Sequence, residues 1–276
     1  MTRTAGPLLH ATLVVDSATP LVGAYASLGL GVAADVTIKA AQAGAWGQET
    51  LAGRRMLELA PAAGPTLLRL IEWPGAPPRP TRLSHGWLAL EILVRDVDAL
   101  AEPARAGGFE IVGAPADLEM SPNIRAMQLV GPAGEMLYLT QVKAPVPPFD
   151  LRLSATLPAA QTLGPLFIGV MAVPSRAAAV AACAMLHPPS TLQFETKVTV
   201  LNRAYGRPME ARWPLATVAL AGQCLFEIDE VTAPDMVPAP TAGTLPAGIS
   251  WLTIQAERDA PLAEIAPGVW LERRRG

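Results

Sequence analysis

Residues 88–110 read LALEILVRDVDALAEPARAGGFE, and the order of elements in this stretch decides the fold. Residues 87–94 (WLALEILV) form an apolar run, which predicts a strand. Asp96 and Asp98 then open a helix over 97–106, and Gly107 and Gly108 end it. Strands are expected next at 109–112, 125–130 and 135–141. The turn Gly131-Pro132-Ala133-Gly134 leads into the last of them.

The same order recurs on both sides. Upstream, 10–15 (HATLVV) reads as a strand and 18–30 as a helix behind Ser17. Short strands are expected at 36–41, 55–59 and 66–72. Downstream of the proline-rich stretch 145–148, residues 166–173 read as a strand and 175–186 as an alanine-rich helix. Strands are expected at 196–201, 216–220 and 224–229. A linker over 232–247 precedes a strand at 249–256 (ISWLTIQA), and 257–266 reads as a short helix. The repeat of roughly 70–80 residues makes each copy a supersecondary unit rather than a solenoid turn. Two such units can close a cleft between them, and four make two tandem domains.

Composition narrows the function. The chain has 276 residues, 51% hydrophobic and 16% charged, so a sizeable core can form and disorder is excluded. Lys and Arg number 21 and Asp and Glu 24, a net charge of −3 without long blocks. No nucleic-acid partner held by bulk electrostatics is expected. The longest nearly apolar runs, 163–174 and 213–226, fall short of the roughly 18 residues that suggest a membrane span. His10 and Asp16 interrupt the N-terminal apolar stretch before a signal core forms, so a cytoplasmic protein without a membrane partner is expected. Two cysteines, Cys183 and Cys224, do not make a disulfide scaffold. The match of 29–34 (GLGVAA) to a dinucleotide pattern follows a helix rather than a strand and is set aside.

Three stretches carry a family resemblance: 10–25 (HATLVVDSATPLVGAY), 88–110, and 130–139 (VGPAGEMLYL). With the repeated strand–helix–three-strand order, they resemble the βαβββ modules of the vicinal oxygen chelate superfamily. That superfamily includes glyoxalase I, extradiol dioxygenases and bleomycin-resistance proteins. The resemblance implies an α+β fold of tandem βαβββ modules in two pseudo-symmetric domains, at 1–143 and 150–276, with the fourth module truncated. It further implies that the first two modules form the working cleft. Paired modules can come from different chains in this superfamily, so a homodimer is among the expectations.

In metal-dependent members each module offers a His on its first strand and a Glu on its last. Carried onto this chain, the first module has His10 in the ligand position and either Arg69 or Glu72 on the last strand. The second places Ala89 and Tyr138 there. The third places Ile168 or Phe167 with Glu227, which fits the Glu position as a relic of the metal site. The fourth shows neither ligand. One His and one carboxylate fall short of a two-His-one-carboxylate centre. The expectation is no cofactor, with a divalent metal (Fe, Zn, Ni or Mn) on His10 and Glu72 as the alternative.

Glu91 stands alone inside an apolar strand, where burial is costly without a partner and raises the carboxyl pKa. His10, Glu72, Glu91 and Tyr138 are the candidate acid/base set. Arg125, Asn123 and Thr140 are the candidate substrate contacts. The expected function is metal-independent acid/base chemistry, of lyase or isomerase type, on a small oxygen-rich organic molecule. The rivals are a non-catalytic binding or resistance protein and an extradiol-type dioxygenase that recruits His85. The ring of His187 caps helix carbonyls in this reading.

Overall fold

The computed structural model describes residues 3–76, 79–233, 237 and 245–276. The first module comprises β1 (Leu8–Val15), α1 (Thr19–Ser27), β2 (Leu30–Thr37), an added helix α2 (Ala40–Trp46), β3 (Arg55–Pro61) and β4 (Leu68–Glu72). The second comprises β5 (Gly86–Val94), α3 (Ala101–Ala106), β6 (Glu110–Leu118), β7 (Ser121–Val130) and β8 (Met136–Val142). The third comprises β9 (Leu163–Val173), α4 (Arg176–Cys183), β10 (Thr191–Lys197), a short helix α5 (Thr199–Ala204), β11 (Arg212–Leu220) and β12 (Cys224–Glu230). The fourth is shortened to β13 (Gly248–Ala256), β14 (Ala260–Ala266) and β15 (Val269–Arg275). The expected α+β architecture of tandem modules is the observed one.

The modules pair differently from the expected division at 143/150. One sheet has the order β14-β15-β13-β1-β4-β3-β2 and so joins the first module to the fourth. The other has the order β10-β11-β12-β9-β5-β8-β7-β6 and joins the second to the third. In each, the leading strands meet antiparallel, β1 on β13 and β5 on β9. Each cleft is therefore built by one chain, and the expectation that the first two modules share one is corrected.

Three local expectations are also corrected. Residues 260–266 form β14 rather than a helix, because β15 offers a strand edge and pairing outweighs helix propensity. Residues 199–204 turn as α5 where a strand was expected. The strand expected at 36–41 lies earlier, at β2, an edge strand exposed along most of its length.

The backs of the two sheets pack on one another around a shared core. Leu13, Tyr25, Trp87, Phe167, Phe226 and Leu252 are buried in it. Gly169 permits the approach: a Cβ there would lie 2.4 Å from Leu252 Cδ1 and 2.9 Å from the Trp87 ring. The Trp87 indole Nε1 donates to the Trp270 carbonyl across the sheets at 2.9 Å.

Candidate functional site

Register assembles the site in the eight-stranded sheet. Glu91 on β5 lies between Tyr138 on β8 and Ile168 on β9. One step along, Val170 lies between Ala89 on β5 and Glu227 on β12. Strand alternation directs these side chains, with Thr140 and Thr217, to one face. There Glu91, Tyr138, Thr140, Ile168, Thr217 and Glu227 line a cavity of about 440 Å³ whose walls include Ile124, Phe149, Phe194 and Leu215. That volume is in the range of small-molecule sites.

The ionisable groups in the cavity are mostly acidic. Burial, with Glu227 nearby, pushes the Glu91 carboxyl up to about 8, opposed by a hydrogen bond from the Thr140 hydroxyl at 2.6 Å. Burial likewise pushes Glu227 up to about 7. Asp229, two residues along the same face of β12, is fully buried. Burial and the neighbouring Glu227 drive its carboxyl well above the usual range. Neither Asp229 oxygen has a hydrogen-bond partner, and neither does the buried Tyr138 hydroxyl. Burial and the surrounding carboxyls hold that phenol well above its ordinary value. At the mouth, the Lys197 ammonium is held by Glu119 at 2.7 Å and Glu210 at 2.6 Å.

The seven-stranded sheet repeats this register with other residues. Thr12 lies between Arg69 and Trp251, and Thr253 lies between His10 and Glu272. His10 thus corresponds to Ala89, Arg69 to Tyr138, Trp251 to Ile168, and Glu272 to Glu227. This face is filled. Helix α2 lays Trp46 edge-on against Trp251, with ring centroids 5.4 Å apart. The Trp46 indole Nε1 donates to Glu272 Oε1 at 2.8 Å, and the Thr253 hydroxyl donates to Oε2 at 2.7 Å. Arg69 Nε donates to Glu58 Oε1 at 3.0 Å, and its Nη1 lies 3.9 Å from Glu272 Oε2. Burial, then Arg69 and Arg274, push the His10 imidazole down to about 2, so it is neutral.

The sequence-derived candidates therefore separate. Glu91, Tyr138 and Thr140 meet in the cavity, while His10 lies in the other sheet. Glu72 is on the far face of β4. There its Oε1 accepts from the Ala18 N–H at 2.9 Å at the start of α1, and its Oε2 meets Arg55 at 3.3 Å. Glu230 does the same for α4 through the Arg176 N–H at 2.7 Å, so the carboxylate three residues past the ligand position holds the helix of its own module. Between Arg69 and Glu72, it is Arg69 that faces inward. Arg125 faces away from the cavity and is paired with Asp98 at 2.7 Å and Asp117 at 3.3 Å. The Asn123 amide donates to the Pro145 carbonyl at 3.1 Å. These two expected substrate contacts are corrected, because residues 121–130 form β7 and alternation turns Ile124, Ala126 and Gln128 inward instead. His85 Nε2 is spent on the Val231 carbonyl at 2.9 Å. The fourth module does carry a Glu at the ligand position, Glu272, contrary to expectation.

Neither face fits a divalent ion. Of the four ligand positions, the cavity keeps Glu227 alone, beside Ala89, Tyr138 and Ile168. The other face puts a guanidinium and an indole beside His10 and Glu272. Among the described residues no three His, Cys, Asp or Glu side chains gather as a metal site.

A scan against protein-family models finds no match, and neither does a search of curated proteins. Solved structures do match. Glyoxalase I from Zea mays superposes at a TM-score of 0.60 with 14% identity, over 99% of this chain and 92% of that one. A protein of Bacillus subtilis subsp. subtilis str. 168, provisionally described as a dioxygenase, superposes at 0.59 with 10% identity, over 100% of this chain and 87% of that one. With its paired βαβββ modules and end-to-end superposition, the chain has the fold of the vicinal oxygen chelate superfamily.

Proposed function

We propose that the protein is an enzyme that moves a proton next to a carbonyl of a small organic molecule, with acid and base drawn from its own carboxyl groups. The observation that carries this reading is the convergence of Glu91, Glu227 and the unpartnered Tyr138 hydroxyl on one largely apolar cavity. Carboxyl groups raised to about 7 and about 8 divide acid and base roles near neutral pH. Glu227, which ionises first, takes the proton from carbon. Glu91, still protonated, returns it. The Tyr138 hydroxyl donates to the oxygen that gains charge. Because the two carboxyls interact, the pH profile is a bell belonging to the pair.

The test is deuterium incorporation from D2O at the carbon beside the carbonyl, followed by NMR over a panel of small hydroxy- and amino-ketones. Glu227→Gln should slow exchange by about 100-fold or more. No exchange with any ketone, or exchange that survives in Glu227→Gln, overturns the reading. The apolar walls favour a second reading, a protein that binds and sequesters its ligand. Tight binding without exchange would establish that one. No helix among the described residues is long and apolar enough to cross a membrane.

A further inference from the structure

Once its carboxyls ionise, the cavity has an excess of hydrogen-bond acceptors, and the Lys197 ammonium in its lining is already held by Glu119 and Glu210. Glu227 opens into it with no hydrogen bond or ion pair among the described residues, and one oxygen of Glu91 is likewise free. Two residues on from Glu227, Asp229 is fully buried outside the cavity lining, with both oxygens unpartnered. The Tyr138 hydroxyl is a donor without a partner, and the lining also carries the Gln128 amide and the Thr217 hydroxyl. Buried polar groups are normally satisfied, so the ionised carboxylates of this cavity suit a ligand rich in donors.

The charges on every surrounding element point the same way. Glu91 comes from β5, Tyr138 from β8, and Glu227 and Asp229 from β12. Asp117, Glu119, Glu210 and Lys197 lie at the mouth. Lys197 is saturated by two of those acids. Arg82, whose charge reaches Tyr138, belongs to a separate hollow. An anionic ligand would face carboxyl groups that become like charges once ionised, with the Lys197 ammonium in the lining already held by two acids. A neutral ligand would leave the acceptors unmatched.

We propose that the cavity binds a small organic ammonium ion, its N–H groups on Glu227 and Glu91 and its apolar body against Phe149, Phe194 and Leu215. The cation stabilises the ionised carboxylates, so binding expels a proton from the Glu91–Glu227 pair to solvent. This deepens the reading of the same cavity but does not depend on catalysis there.

Three probes with a shared phenethyl body test it by calorimetry: phenethylamine, phenethyl alcohol and hydrocinnamate. Each is titrated into the intact protein at pH 6, 7 and 8.5, in buffers of different ionisation enthalpy. The amine should bind at least about tenfold tighter than the alcohol at pH 8.5, and hydrocinnamate should bind weakest. Amine affinity should rise from pH 6 to 8.5, since the amine stays protonated while the carboxyls ionise. The buffer dependence should show about one proton released at pH 7. Glu227→Gln should abolish the amine's advantage over the alcohol. Alcohol binding equal to the amine, preference for hydrocinnamate, a flat pH response, or no binding by any probe overturns the proposal. These measurements on the unsubstituted protein stand even if the variant fails to fold. Amine binding without deuterium exchange sinks only the catalytic reading. Exchange on neutral ketones without amine selectivity sinks only this one.

Discussion

Thr12, flanked by Arg69 and Trp251, occupies in one sheet the place that Glu91, flanked by Tyr138 and Ile168, occupies in the other. The backbone scaffold is the same, yet one face is solid and the other hollow. In the solid face the large groups pack on one another, Trp46 on Trp251, Glu272 on Trp46 and Thr253, Arg69 on Glu58, although His10 Nε2, Thr12 Oγ1 and Trp251 Nε1 have no hydrogen-bond partner among the described residues. In the hollow face Glu91, Glu227 and the Tyr138 phenol meet space. The comparison separates residues that hold the fold from residues kept at a stability cost. Buried, unpaired carboxyls destabilise a protein, so their retention beside a cavity marks the working face.

The sharpest way to break the comparison is to exchange the contents of the faces. Trp46→Ala should cost about 4 kcal/mol, since it removes a buried indole and one donor to Glu272. Chemical denaturation reads this directly. Ile168→Trp, which puts the indole of Trp251 at the matching place, should fill the cavity and abolish ligand binding while the fold survives. A Trp46→Ala protein of unchanged stability would show that the solid face is not held by its plug.

Arg69→Met comes next. It takes the guanidinium from Glu58, leaves that carboxylate with the Thr66 hydroxyl alone, and should cost about 2 kcal/mol. The matching change in the hollow face, Tyr138→Phe, deletes a hydroxyl that has no partner and should leave the melting temperature nearly unchanged. Equal losses from the two variants would sink the distinction.

Smaller effects appear in the pH dependence of stability, and their signs differ between faces. His10 has an ordinary value of 6.5, lowered to about 2 in the folded chain. Its unfolded form binds a proton that the folded form refuses, so stability is lost as pH falls from 6.5 toward 2. Glu91 rises from 4.5 to about 8 on folding, so there the folded chain holds a proton that the unfolded chain has released. Stability is then lost as pH rises from 4.5 to about 8. Each group contributes at most about 1.4 kcal/mol per pH unit. His10→Gln should flatten the acid limb and Glu91→Gln the opposite one, as read from urea midpoints across pH. If either variant flattens the other limb, the assignment of the two faces is wrong.

The smallest effect is expected from Arg125→Ala. Its pairs with Asp98 and Asp117 are solvent-exposed, so neither probe affinity nor melting temperature should move measurably. A loss of ligand binding in this variant would bring Arg125 back to the site.

The sequence reveals much of this, but unevenly. The leading strands, and the helices that follow them in the first three modules, are legible because their apolar runs are long and punctuated by Gly and Asp. Strand β2 is hard to place because it is an exposed edge strand with no alternation to betray it. Module pairing is invisible, since β1 meets β13 across more than two hundred residues and no local pattern encodes that choice. Within the site, Glu91 stands out as a lone charge in an apolar run, and Tyr138 and Thr140 follow from alternation on β8. Glu227 fits its position, but its role emerges only when β12 and β5 share a sheet. Glu72 misleads because a carboxylate at a strand end serves a helix N-terminus as readily as a cleft. Phe194, Lys197 and Thr217 carry no sequence signal at all, as they are ordinary strand residues brought to the cavity by β10 and β11.

The contact of Gly169 with Leu252 joins the two sheets through one core. Neither sheet can melt while the other keeps its native back, so the chain should unfold in a single calorimetric transition. A ligand seated in the hollow face then raises the melting temperature of the solid one as well, by mass action on the whole molecule. The plugged face thus acts as a thermal anchor for a cavity whose buried acids would otherwise loosen it.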